Sequence, residues 1–139
     1  MRLSWPLIGR SEELRAVEAA LSAPNAAGIV VYGEPGVGKS RIVREALSAA
    51  DSRGWNTHLV VGTSSARAVP LGAFTAWAPP GVTEPVQLLR GVIESLTAVS
   101  AGEPVVVAVD DAHLLDDLST FVVHQIIQRR VAKVILTVL

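Results

Sequence analysis

Apolar residues recur along this chain with two different periods, and the two alternate. Leu14, Val17 and Leu21 repeat at helical spacing. Ser11 stands where a helix N-cap would, Glu12 and Glu13 in the first turn suit the helix dipole, and Pro24 marks the end. Gly28 to Tyr32 (GIVVY) is a short apolar run rich in branched residues, as in a strand buried on both faces. A glycine-rich turn over Gly33 to Gly38 leads into a predicted helix from Lys39 to Ala50. Ile42, Val43, Ala46 and Leu47 share one of its faces, and Gly54 is a stop signal. Thr57 to Val61 reads as a second strand. Thr63 to Pro80 is mixed in composition and reads as a loop with a helical turn near Phe74. Pro85 to Ser100 is a predicted helix, with Leu89, Val92, Ile93, Leu96 and Val99 inward. Val105 to Val109 is a third strand that runs straight into Asp110 and Asp111. A helix from Leu118 to Arg130 carries Leu118, Phe121, Val122 and Ile126, and Ala132 to Val138 is a fourth strand.

This alternation predicts an α/β fold: a three-layer sandwich with helices on both faces of a mostly parallel sheet. The 139 residues suffice for one domain, spanning 1–139. The last strand is of the buried type and has no helix after it to cover it. The reading is therefore of a sheet incomplete at the C-terminus and a truncated domain.

Composition narrows the function classes. Half of the residues are hydrophobic and 18% are charged, which can fill a core. The formal net charge of -1 offers no basic field for direct nucleic-acid or anionic-membrane binding. With no cysteine there is neither a disulfide nor a thiolate metal site, and His58, His113 and His124 lie far apart. The N-terminus has no signal-peptide pattern and no stretch of about 18 apolar residues exists, so a cytoplasmic location is expected.

Gly33-Glu34-Pro35-Gly36-Val37-Gly38-Lys39-Ser40 fits G-x-x-x-x-G-K-[ST] in full. A triphosphate needs many inward-pointing donors at once. Backbone N–H groups supply them only where the chain wraps closely, which Gly33, Gly36 and Gly38 permit. The following helix presents its positive end, Lys39 adds a charge near the β- and γ-phosphates, and Ser40 offers a hydroxyl to Mg²⁺. Arg41 extends this cofactor-binding set at the helix start. The apolar strand before the loop and the amphipathic helix after it are the context the mechanism requires.

The acidic pair is the second element. Residues at the carboxyl end of a parallel strand reach the ligand crevice. Asp110 is expected to hold Mg²⁺, Asp111 to orient or deprotonate the attacking water, and Lys39 to serve catalysis through its charge near the β- and γ-phosphates. Asp111 is one methylene shorter than a Glu would be at that position, which predicts slow turnover. Asp116 and Asp117 read as helix-start acids, His113 as a hydrogen-bonding loop residue, and Arg129 and Arg130 as solvated helix-end cations. Trp5, Trp55 and Trp77 do not interleave with basic residues and read as packing or partner contacts.

Taken together these segments resemble AAA-type P-loop ATPases. Leu7-Ile8-Gly9-Arg10, followed by Glu12, Glu13 and Leu14, is similar to the segment that lies against the adenine there. The resemblance makes Ile8, Gly9 and Arg10 candidate base and ribose contacts. GEPGVGKSRIVREAL, TSSARAVPLGAF and VVVAVDDAHLLDDLS look like the ATPase module of large ATP-binding LuxR-type transcriptional regulators, of the STAND group. That resemblance implies ATP and Mg²⁺ as cofactors and further C-terminal domains of the same protein as partners, and leaves self-association open. It also implies a five-stranded sheet, of which one strand would be absent and the Gly28–Tyr32 strand an exposed edge. Such regulators end the last strand in a Thr-x-Arg-like sensor that reads the γ-phosphate. Here Thr137 matches and Leu139 replaces the arginine, which weakens the case for sensing and hydrolysis. Two alternatives stay open: an AAA-type motor or loader, and a non-catalytic ATP-binding remnant. GTP is disfavoured because no Asn-Lys-x-Asp stretch occurs.

Overall fold

Strands and helices alternate in space as the two periodicities do in sequence. The computed structural model describes residues 2–3, 10–24, 26–33, 38–98 and 102–139. In chain order these form β1 (Arg2–Leu3), α1 (Arg10–Ser22), β2 (Gly28–Tyr32), α2 (Lys39–Ser52), β3 (Asn56–Val61) and α3 (Ser64–Arg67). A 3-10 segment (Gly72–Trp77) leads to α4 (Pro85–Thr97) and β4 (Val105–Asp110). A 3-10 turn (Ala112–Leu114), α5 (Asp117–Arg129) and β5 (Lys133–Val138) complete the order.

The five strands form one sheet in the order β1-β2-β5-β4-β3, and every pairing is parallel. A parallel sheet survives only with both faces covered, and β4 shows this most plainly, being buried at all six positions. Val105, Val107 and Val109 point to one face, where they pack with Phe74, Val92, Leu96, Val122 and Ile126 of the 3-10 segment, α4 and α5. Val106 and Ala108 point to the other, toward Val17, Ile42, Val43 and Ala46 of α1 and α2. Each large aliphatic side chain so buried contributes about 1.5–3 kcal/mol relative to exposure. The α/β three-layer architecture expected from the sequence is the one observed.

Several expectations are corrected. Gly28–Tyr32 is not an edge: β1 pairs along Val30 and Val31 on one side, and β5 along its whole length on the other. Among the described residues the edges are β1 and β3. Helix α1 already begins at Arg10, so Ser11 lies inside it rather than capping it. Ser64–Arg67 is a further helical turn, capped by the Thr63 side chain, which accepts from the Ala66 N–H. Phe121 is 47% exposed and faces away from the core that Val122 and Ile126 enter. Trp55 packs beside the α1–α2 core and Trp77 beside the opposite one, as packing residues should. Trp5, Val99 and Ser100 lie outside the described residues. No helix among the described residues is long and apolar enough to cross a membrane.

Candidate functional site

The strand ladders bring the chemistry to one end of the sheet. In parallel strands all carboxyl ends point the same way, and β5 lies between β2 and β4. Val31 pairs with Thr137, and Val109 pairs with Leu136. The register therefore sets Thr137 beside Asp110, and both beside the turn that leaves β2 at Gly33.

Of the predicted phosphate loop, Gly33 and Gly38 are described; Glu34, Pro35, Gly36 and Val37 lie outside the described residues. Gly38 adopts φ 91°, ψ 15°, a left-handed conformation that glycine takes without steric cost, and it turns the chain into α2. Lys39 then opens the helix and is 6% exposed. Its ammonium donates to the Gly33 carbonyl at 2.9 Å, joining the two ends of the loop. A buried ammonium is costly without such partners.

Ser40, the next residue, donates its hydroxyl proton to Asp110 Oδ2 at 2.5 Å. Thr137 donates to Asp110 Oδ1, also at 2.5 Å, and its oxygen accepts from the Asp111 N–H at 2.8 Å. Asp110 is 6% exposed and Thr137 wholly buried. Both hydroxyls give Asp110 hydrogen bonds but no positive charge. Asp111 sits at φ 56°, ψ 52°, a left-handed conformation that Asp tolerates better than most residues. The strand thus ends abruptly between the two carboxylates: Asp110 stays in the sheet while Asp111 turns to the surface.

Gly38, Lys39, Ser40 and Asp111 border a cleft of about 800 Å³, within the range of small-molecule sites. Lys39, Ser40, Arg44, Asp111, His113 and Leu139 are part of its wall. Arg41 also lines it, though its side chain is held by Glu45 at 3.3 Å. His113 Nδ1 accepts from the Leu139 N–H at 3.4 Å, the loop role expected of it, and it faces the cleft as well. Asp116 and Asp117 stand apart from this cleft, at the start of α5.

The structure brings together Gly33, Gly38, Lys39, Ser40, Arg41, Asp110 and Asp111. The proposed base contacts Ile8 and Gly9 lie outside the described residues, and Arg10 is described only as the first residue of α1. Sequence reasoning misses one member of the site and the partners of another. Arg44 reaches the cleft wall because it is one helical turn beyond Ser40, a spacing legible once the helix is assigned. Thr137 stands where the resemblance places a reader of the γ-phosphate; it is buried, donates to Asp110 and accepts from the Asp111 N–H.

The donor set fits a hard divalent cation held jointly with phosphate oxygens. Ser40 Oγ and the Asp110 carboxylate are adjacent oxygen donors, as Mg²⁺ prefers. No cluster of three or more His, Cys, Asp or Glu that could hold a metal exists among the described residues. A metal here would complete its shell from ligand and water, which is the usual Mg²⁺-phosphate arrangement.

The family model for an AAA ATPase domain matches residues 6–80. Over 44 residues, 32% of this chain, the sequence is 41% identical to Lon protease 2 of Bacillus subtilis (strain 168), of which the match covers 8%. The fold is similar to that of the Aeropyrum pernix ORC1 protein, solved in complex with DNA, with a TM-score of 0.64. That similarity covers 96% of this chain and 39% of the other at 19% identity, so it is a likeness of fold. The chain spans well under half the length of either relative.

Proposed function

Because the chain belongs to the AAA ATPase domain family, we propose that it binds Mg-ATP in the cleft at the carboxyl ends of β2, β4 and β5. The observation that carries this reading is the Ser40–Asp110 hydrogen bond beside Lys39, which joins the phosphate-loop helix to the acidic strand. Lys39 and the N-terminus of α2 would meet the phosphates. Ser40 and Asp110 would hold Mg²⁺, which when bound neutralises phosphate charge. Thr137 keeps the Asp110 carboxylate oriented and fixes the Asp111 backbone. Asp111 would orient or deprotonate a water at the terminal phosphate. Its short side chain favours slow hydrolysis, below about 1 s⁻¹. A steady rate above that would favour a motor or loader instead.

Lys39→Ala is the direct test. Titration with Mg-ATP should show saturable binding by the native protein and none by the variant at matched concentrations. Equal affinity in the two proteins would overturn the reading.

At the level of the whole protein, the cleft would serve as the ATP-dependent switch of a LuxR-type transcriptional regulator. The wording of GEPGVGKSRIVREAL and VVVAVDDAHLLDDLS supports this. Sequencing the gene through and beyond codon 139 checks it. An in-frame helix-turn-helix is the expected result. A stop codon there would remove the regulator reading and leave ATP binding standing.

A further inference from the structure

The cleft wall carries a cation that the phosphate-loop pattern does not account for. Arg44 lies four residues after Ser40 on α2, so the two share a helix face. The rise between them is about 6 Å at 1.5 Å per residue. Helical side chains lean toward the N-terminus of their helix, and the long arginine side chain recovers that distance. Arg44 accordingly lines the same cleft as Lys39 and Ser40. Arg44 is exposed, and among the described residues it makes no hydrogen bond or ion pair. Its neighbour Arg41 is differently placed, with its guanidinium already held by Glu45. Asp111 and His113 border the same cleft from the end of β4.

We propose that Arg44 binds the terminal phosphoryl group of the nucleotide and so lets the site distinguish a triphosphate from a diphosphate. The proposal rests on the reading that this cleft binds Mg-ATP. The inner phosphates are served by the loop, by Lys39 and by the helix N-terminus. The terminal group projects beyond that cradle toward Asp111, and a cation on the outer wall meets it alone. A guanidinium suits the task, because its planar fork can donate two hydrogen bonds to a phosphate.

The test is a comparison of Mg-ATP and Mg-ADP affinities for the native chain, Arg44→Gln and Arg44→Lys, by calorimetric titration. Arg44→Gln should bind Mg-ATP about tenfold more weakly while Mg-ADP affinity stays within about twofold. Arg44→Lys should recover part of the loss, since the charge is kept and the fork is not. A helix-surface substitution should leave the unfolding transition in place, and urea unfolding of each variant verifies that. If the native protein binds nucleotide and Arg44→Gln weakens ATP and ADP equally, or weakens neither, Arg44 does not read the terminal group. If the native protein binds neither nucleotide, the Mg-ATP reading falls, and this inference falls with it.

Discussion

Thr137 serves two acidic residues with one hydroxyl, donating to Asp110 and accepting from the Asp111 N–H, in a position wholly closed to water. Thr137→Val keeps the shape and removes both hydrogen bonds. The Asp111 N–H then lacks its acceptor, at a cost of about 1–3 kcal/mol. Urea unfolding should show a lower midpoint for Thr137→Val, with Thr137→Ser close to the native protein. A Val variant as stable as the native chain would mean that the two hydrogen bonds of the hydroxyl contribute no net stability. Lys39, Ser40, Asp110 and Asp111 are legible in the sequence, because covalent spacing alone fixes their order on loop, helix and strand end. The partner of Thr137 is not. Its bond to Asp110 spans 27 residues of sequence and exists only because β4 and β5 pair in one register. The left-handed conformation of Asp111 is equally silent, since nothing in VVVAVDDAH states where the strand must break.

At the scale of elements, Gly28 shows how a strand can be legible while its packing is not. GIVVY reads as a buried strand, and β2 occupies those five residues. What the run does not disclose is that Gly28 opposes Val134 so closely that a Cβ there would lie 1.8 Å from the Val134 carbonyl oxygen. The obstacle is backbone, which cannot rotate aside. Gly28→Ala should therefore part the start of the β2–β5 ladder and cost about 3 kcal/mol or more. The readout is the chemical-denaturation midpoint, and an unchanged midpoint would show that the ladder shifts at little cost. Helix starts are legible only in part. Pro85 and the acids around Asp116 announce α4 and α5, and Glu84 and Asp116 are the actual caps. Asp116 goes beyond capping: it accepts from the Ser119 N–H at 3.3 Å and from the Leu71 N–H at 3.0 Å. It thereby ties α5 to the segment between β3 and α4, a tertiary contact invisible to a dipole argument. β1, at two residues, is too short to carry any periodicity.

For the molecule as a whole, the order β1-β2-β5-β4-β3 leaves β3 at an edge, and there the sheet carries a titratable group into its packing. His58 lies in β3 with its ring 5.9 Å from that of Trp77, edge to face. Burial holds its pKa below the ordinary 6.5, so the native protein keeps it neutral. Unfolding releases it to take up a proton at its ordinary pKa. As pH falls below 6.5 the unfolded state binds more protons than the native one, and stability drops. Asp116 acts in the same direction further down the scale. Burial alone would raise its pKa, but hydrogen bonds from the Ser119 hydroxyl and from the Leu71 and Ser119 N–H groups outweigh that and hold it below 3.8. Its contribution is intact above 3.8 and is lost as pH falls through the lowered value. The two effects separate by mutation. His58→Phe keeps an aromatic ring against Trp77 and removes the titration. Thermal unfolding between about pH 7 and 5 should show a falling melting temperature in the native protein and a flatter profile in the variant. A variant with the native slope would place the acid sensitivity elsewhere than in β3.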